Sequence, residues 1–86
     1  MKKIAFNQNK NVIYKQLRLI RKRMGVSQKD LAAKLQLLNV NIDQQMISKI
    51  ENNKRIVTDY EFACLCKVLN VDEKEMLQDC YENLIK

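Results

Sequence analysis

Apolar residues recur three and four positions apart along almost the whole chain, which is the period of an amphipathic helix and not of a strand. Four polar residues, Ser27, Asp43, Thr58 and Asp72, stand where such runs begin, and each is a good N-cap because its side-chain oxygen accepts from the free amides of the first helical turn. The residues before them are Val26, Ile42, Val57 and Val71, and the residues four after are Leu31, Ile47, Phe62 and Met76, so that each start can be fastened by a hydrophobic staple. Asp30, Glu61 and Glu75 lie three residues after their caps, in the capping-box position.

These signals predict five helices. The first begins near Asn11 and ends at Met24, burying Ile13, Leu17, Ile20 and Met24, with Gly25 as its left-handed stop. The second runs from Ser27 to Leu35 or slightly beyond and buries Leu31, Ala32 and Leu35. The third starts at Asp43, buries Met46, Ile47 and Ile50, and turns off at Asn53, asparagine being the usual substitute for glycine there. The fourth extends from Thr58 to about Leu69 over Phe62, Leu65, Cys66 and Leu69, and stops at Asn70. The last, from Asp72 toward Ile85, carries Met76, Leu77, Cys80 and Leu84 on one side. With no proline and one glycine, the fold class is all-α. Residues 1–10 form a flexible basic arm carrying Lys2 and Lys3, and residues 11–86 the folded domain.

Charge narrows the function. Eighty-six residues make one domain, and 16 Lys and Arg against 10 Asp and Glu leave a formal charge of +6. The excess is uneven: residues 1–35 hold ten bases and one acid, a balance of +9, while residues 58–86 come to −4. Such a field favours a polyanion on one side and also draws basic halves toward acidic ones in a dimer. An RNA-binding role suits the charge equally but suits the motifs less, because exposed aromatics are not interleaved with the bases.

Chemistry of other kinds finds no support. Cys64, Cys66 and Cys80 are odd in number, lack metal-ligand spacing and have no histidine to assist them; no disulfide framework, metal or other cofactor is implied. Buried-hydrophobe roles suit Cys66 and Cys80, in a reducing cytoplasm. Asp72, Glu73, Glu75, Asp79 and Glu82 read as helix-start charge and solvated face, so no acid–base constellation remains and the chain is not expected to be an enzyme. No apolar stretch has the length of a membrane span or of a signal-peptide core.

The third helix leaves Gln44, Gln45, Ser48, Lys49 and Asn52 on its outer side, followed by the basic turn Lys54-Arg55. A glutamine side chain matches the N6 donor and N7 acceptor of adenine, and first-turn residues of a helix laid in the major groove reach base edges. A merely solvated face is the plainer alternative for this stripe.

Taken in order, Leu17, Arg21, Gly25, Ser27-Gln28, Leu31-Ala32, Ile47, Ile50-Glu51 and Lys54-Arg55 resemble the Cro and phage-repressor (xenobiotic-response-element type) helix-turn-helix family over roughly residues 11–78. The resemblance implies a compact five-helix, lambda-repressor-like DNA-binding domain whose second and third helices engage double-stranded DNA. It implies base reading by Gln44, Gln45 and Lys49, backbone contacts by Gln28, Lys29, Ser48, Asn52, Lys54 and Arg55, and a structural ion pair between Arg21 and Glu51. The implied protein is a transcriptional regulator, a repressor on its operator, in the cytoplasm and associated with the nucleoid. An antitoxin or protein-interaction module of the same fold is the alternative.

Two departures from the family pattern stand out. The turn between the second and third helices is lengthened by the segment Gln36–Ile42, which leaves the docking angle open, and Asn53 replaces the usual glycine. A homodimer is expected from the need for a two-half-site operator. Its surface is expected on the last helix at Tyr81, Leu84 and Ile85, unless these pack against the first helix.

Overall fold

The computed structural model describes residues 9–84. It contains α1 (Tyr14–Arg23), α2 (Gln28–Leu37), α3 (Gln44–Glu51), α4 (Asp59–Leu69), α5 (Glu73–Met76) and α6 (Gln78–Leu84). The bulk of the arm, with Lys2 and Lys3, lies outside the described residues, as does Ile85.

Local chemistry sets the ends of these helices. Ser27 Oγ accepts from the Asp30 amide at 2.9 Å while Asp30 Oδ2 accepts from the Ser27 amide at 3.3 Å. Thr58 and Glu61 repeat the exchange at 3.2 and 3.1 Å. Asp43 Oδ1 accepts from the Met46 amide at 2.9 Å, and here the returning acceptor is the Met46 thioether, a weak one, at 3.4 Å. Asp72 Oδ1 accepts from the Glu75 amide at 2.8 Å. Each such cap stabilises its helix by about 1 kcal/mol.

The stops are equally regular. Gly25, Asn39, Asn53 and Asn70 take positive φ of 70°, 61°, 60° and 55°. After each, the next residue's amide reaches back to the carbonyl five positions earlier: Val26 to Arg21, Val40 to Leu35, Lys54 to Lys49 and Val71 to Cys66. The left-handed residue itself donates to the carbonyl three positions back, which completes the Schellman pairing that satisfies the orphan carbonyls of a helix end.

Leu17 and Ile20 of α1, Leu31 and Leu35 of α2, Ile47 and Ile50 of α3, Leu65 and Leu69 of α4, and Met76 of α5 meet in one fully buried core. The lengthened turn belongs to that core. Asn39 ends α2, and the irregular stretch that follows, tightened by a bond from the Ile42 amide to the Val40 carbonyl at 2.9 Å, turns Val40 and Ile42 inward, at 3% and 1% exposure, while Asn41 is exposed. Burying two such side chains is worth about 1.5–3 kcal/mol each, enough to hold the entry of α3 in a fixed place.

Several expectations need correction. The first helix starts at Tyr14, with Ile13 at the N-cap position and no side-chain cap, because the Asn11 side chain is used elsewhere. Met24, at 44% exposure, lies outside the core, since α1 ends at Arg23 and the chain has begun its turn toward Gly25. The last helix is two: Leu77 closes the single turn of α5, and α6 continues from Gln78, giving six helices in place of five among the described residues. The break lets Met76 point fully into the core while α6 runs along α1, which leaves Cys80 half-buried and Leu84 exposed. Phe62 is likewise only half-buried.

Candidate nucleic-acid interface

One face of α3 is core and the other is open. Ile47 and Ile50 are fully buried, whereas Gln44, Gln45, Lys49 and Asn52 are exposed and Ser48 is half-buried between them. Gln45, Ser48 and Asn52 follow one another at three- and four-residue steps, so they form a polar stripe along the helix. At its end Asn52 Nδ2 donates to the Ser48 carbonyl at 2.9 Å and approaches Ser48 Oγ at 3.3 Å.

Beneath the stripe lies a buried charge. Glu51 is 2% exposed, and its carboxylate receives Arg21 in a fork, Nε to Oε2 at 2.6 Å and Nη2 to Oε1 at 2.9 Å. Gln28 Nε2 adds a third donor to Oε1 at 3.1 Å, and Arg21 Nη1 spends its proton on the Val26 carbonyl at 2.9 Å. Burial by itself would raise the Glu51 pKa; the hydrogen bonds from Arg21 and Gln28 and the charges of Arg21 and Arg18 outweigh it and hold the carboxyl below its usual range. α1, α2 and α3 are thus joined through one side chain, and the angle of the open face follows from that junction.

The turn after α3 is fixed from two sides. Asn11, 8% exposed, donates from Nδ2 to the carbonyls of Ile50 and Arg55 at 3.0 and 2.9 Å, and its Oδ1 accepts from the Ile13 amide at 3.0 Å. Asn53 Oδ1 accepts from the Lys10 amide at 2.7 Å and its Nδ2 donates to Asn9 Oδ1 at 2.8 Å. Asparagine at this left-handed stop therefore supplies ties that glycine would lack. Residues 9–11 are fastened along the turn.

Lys29 on α2 and Lys54 after α3 are exposed. Arg55 is placed differently: Nη1 and Nη2 donate to the two oxygens of Glu61 at 2.9 Å each, which commits its guanidinium to the start of α4. This fork, together with the Thr58 amide and hydroxyl, outweighs burial and lowers the Glu61 pKa. Gln28 faces Glu51 with its amide nitrogen rather than solvent.

Sequence reasoning missed Arg18, Asn11 and Glu61 as parts of this region. Arg18 was within reach of inference, since it lies three residues before Arg21 on the same helix face. Elsewhere, Cys66 is a buried thiol whose pKa is pushed up to about 11 by burial and by the charges of Glu73 and Asp72, which keeps it neutral and unreactive. Among the described residues no group of three His, Cys, Asp or Glu side chains is placed to hold a metal ion, and no helix is long and apolar enough to cross a membrane.

A glutamine-led helix α3 presented beyond the preceding α2, held to α1 by the Arg21–Glu51 pair and to α2 by Gln28, is the arrangement of the helix-turn-helix class. The chain belongs to the Cro/C1-type helix-turn-helix family, whose model, described as helix-turn-helix, matches residues 17–76. Among solved structures it is similar to the restriction-modification controller protein C.Esp1396I. The tetramer of that protein in complex with its natural 35 base-pair operator shares 28% identity and a TM-score of 0.70, covering 95% of this chain and 99% of that one. The wild-type C.Esp1396I structure matches equally, at 28% identity and TM-score 0.70 over 95% and 96% of the two chains. A hypothetical transcription factor, NHTF from Neisseria, shares the fold at 21% identity and TM-score 0.70, over 99% of this chain and 93% of that one. Among curated proteins none matched.

Proposed function

We propose that this chain is a sequence-specific DNA-binding transcriptional regulator that lays α3 in the major groove of its operator. The observation that carries this reading is the orientation of α3: its apolar side is locked in the core and its carboxamide-led side is open, on a chain whose formal charge is +6. The likeness to C.Esp1396I, a controller protein crystallised as a tetramer on its operator, supports it.

Gln44, Gln45 and Lys49 read base edges. Lys29, Ser48, Asn52 and Lys54 hold phosphates on either side, together with the amides at the start of α2 beside Gln28. Arg55 meets the backbone only with the edge that Glu61 leaves free, and serves mainly to orient the turn. A single reading helix sees few base pairs, so two copies bind two half-sites about one helical turn apart. Tyr81 and Leu84, 46% and 56% exposed on α6, are the apolar surface for that pairing. Repression follows where the site overlaps that of polymerase, and the place of action is the nucleoid in the cytoplasm.

Selection of bound fragments from random duplex DNA at physiological salt tests the proposal. A consensus with twofold symmetry is expected. Failure to enrich any duplex, or stronger retention of structured RNA at equal salt, would overturn it.

A further inference from the structure

Glu51 is one carboxylate facing two guanidinium groups. Arg21 fills it with a fork at 2.6 and 2.9 Å, and Gln28 takes what is left of Oε1 at 3.1 Å. Arg18, one turn earlier on α1, comes no closer than 3.6 Å to Oε1 and makes only long contacts, 3.2 Å to Asn52 Oδ1 and 3.4 Å to the Glu51 carbonyl. Its side chain is 46% exposed. Two guanidinium groups on one carboxylate leave the cluster with a net positive charge; among the described residues Arg18 has no ion-pair partner besides the shared Glu51, and its guanidinium borders Asn52, the last residue of the open α3 stripe.

A guanidinium in this position has the geometry for a phosphate. Forked donors fit two phosphate oxygens, the contacts to be given up are at the long end of hydrogen-bond range, and Arg21 remains to satisfy Glu51 when Arg18 turns away. Asn52 Nδ2 already donates to Ser48, so Arg18 is a stronger anion-binding group than Asn52 at this end of α3, alongside Lys54. We propose that Arg18 binds a phosphate of the DNA strand flanking the C-terminal end of α3, so that α1 contributes directly to the interface; this rests on the regulator function above. It gives α1 a role in affinity and none in base choice.

The test uses the full chain, Arg18→Gln and Arg18→Lys, titrated with random-sequence duplex DNA over a salt series, with thermal melts alongside. Loss of one phosphate contact makes the slope of log Kobs against log salt shallower by about 0.9 in Arg18→Gln. Arg18→Lys is expected to keep the wild-type slope, and the bases selected by both variants to stay those of the wild type. Should Arg18→Gln melt earlier, the slope is taken below both transitions, where it reports bound charge alone. An unchanged slope in Arg18→Gln, or a changed base preference, would overturn the assignment while leaving the regulator function standing. A wild-type chain that binds no duplex would overturn the function itself.

Discussion

Arg21 and Glu51, thirty residues apart in the chain, meet in a forked ion pair whose carboxylate side chain is 1% exposed. The pair links the end of α3 to the last turn of α1, and Gln28 adds α2 at Oε1. Burying two charges is worthwhile only while both are present, because a lone survivor is left without water or partner.

Glu51→Ala should therefore destabilise the fold by about 3–5 kcal/mol, read as a fall in denaturation midpoint. A pH dependence accompanies it. The folded Glu51 carboxyl titrates below the unfolded one, so its contribution is fully present above the ordinary glutamate value of about 4.3 and is lost as pH falls through the lower folded value. Glu61 adds in the same direction. Thermal melts stepped down through this range should show wild-type stability dropping, with a smaller drop in Glu51→Gln; parallel curves would contradict the assignment.

Lys54 and Arg55 are neighbours with different surroundings. Lys54 is exposed, so Lys54→Ala should leave the melting temperature nearly unchanged while weakening all duplexes alike and flattening the salt slope by about 0.9. Arg55→Ala removes a fork of two 2.9 Å bonds to Glu61 and should cost stability of about 1.5–3 kcal/mol before DNA is added. Paired melting and binding curves separate the two. Equal melting temperatures in both variants would mean that the Arg55–Glu61 fork does not stabilise the turn.

What could be read from the chain and what could not divide along the range of the interactions. Ser27, Asp43, Thr58 and Asp72 cap helices through bonds to the amide three residues on, and Gly25, Asn39, Asn53 and Asn70 close them through bonds of similar span, so a short window contains the whole cause. The Arg21–Glu51 pair is long-range and became legible only through family resemblance. Arg55 shows the limit: its basic side chain suggested a phosphate, but Glu61 six residues later claims it first. The break at Leu77 was hidden for a related reason. Met76, Leu77, Cys80 and Leu84 do share a helical stripe, and only the packing of α5 and α6 on α1 decides that the stripe bends.

Asn11 lies just ahead of α1, where its Oδ1 accepts from the Ile13 amide, but its amide nitrogen serves the end of α3. Its amide group donates to the Ile50 carbonyl at the end of α3, which also takes the Asn53 amide, and to the Arg55 carbonyl beyond. Asn11→Ala should cost about 1–3 kcal/mol, because the part-buried Arg55 carbonyl loses its side-chain donor and the Ile50 carbonyl the second of its two. Asn11→Asp should cost at least as much, since an ionised carboxylate accepts but cannot donate. Urea titrations of both variants check this, and tolerance of aspartate would show that the bonds from Nδ2 are dispensable.

Gln44 and Gln45 open α3 with side chains exposed and with no role in the core, so changing them should leave stability within about 0.5 kcal/mol of the wild type. Their proposed task is discrimination: a carboxamide that both accepts from N6 and donates to N7 of adenine loses both bonds when the base is changed. Gln44→Ala should then erase a preference of about 1–3 kcal/mol at one position of each half-site and leave the other positions as they were. Backbone contacts behave in the opposite way, lowering every sequence together. Measuring affinity for the selected duplex and for its single-base variants, with wild type and Gln44→Ala at one salt concentration, distinguishes the two patterns. A uniform loss across all the variants would move Gln44 from the reading set to the phosphate-holding one.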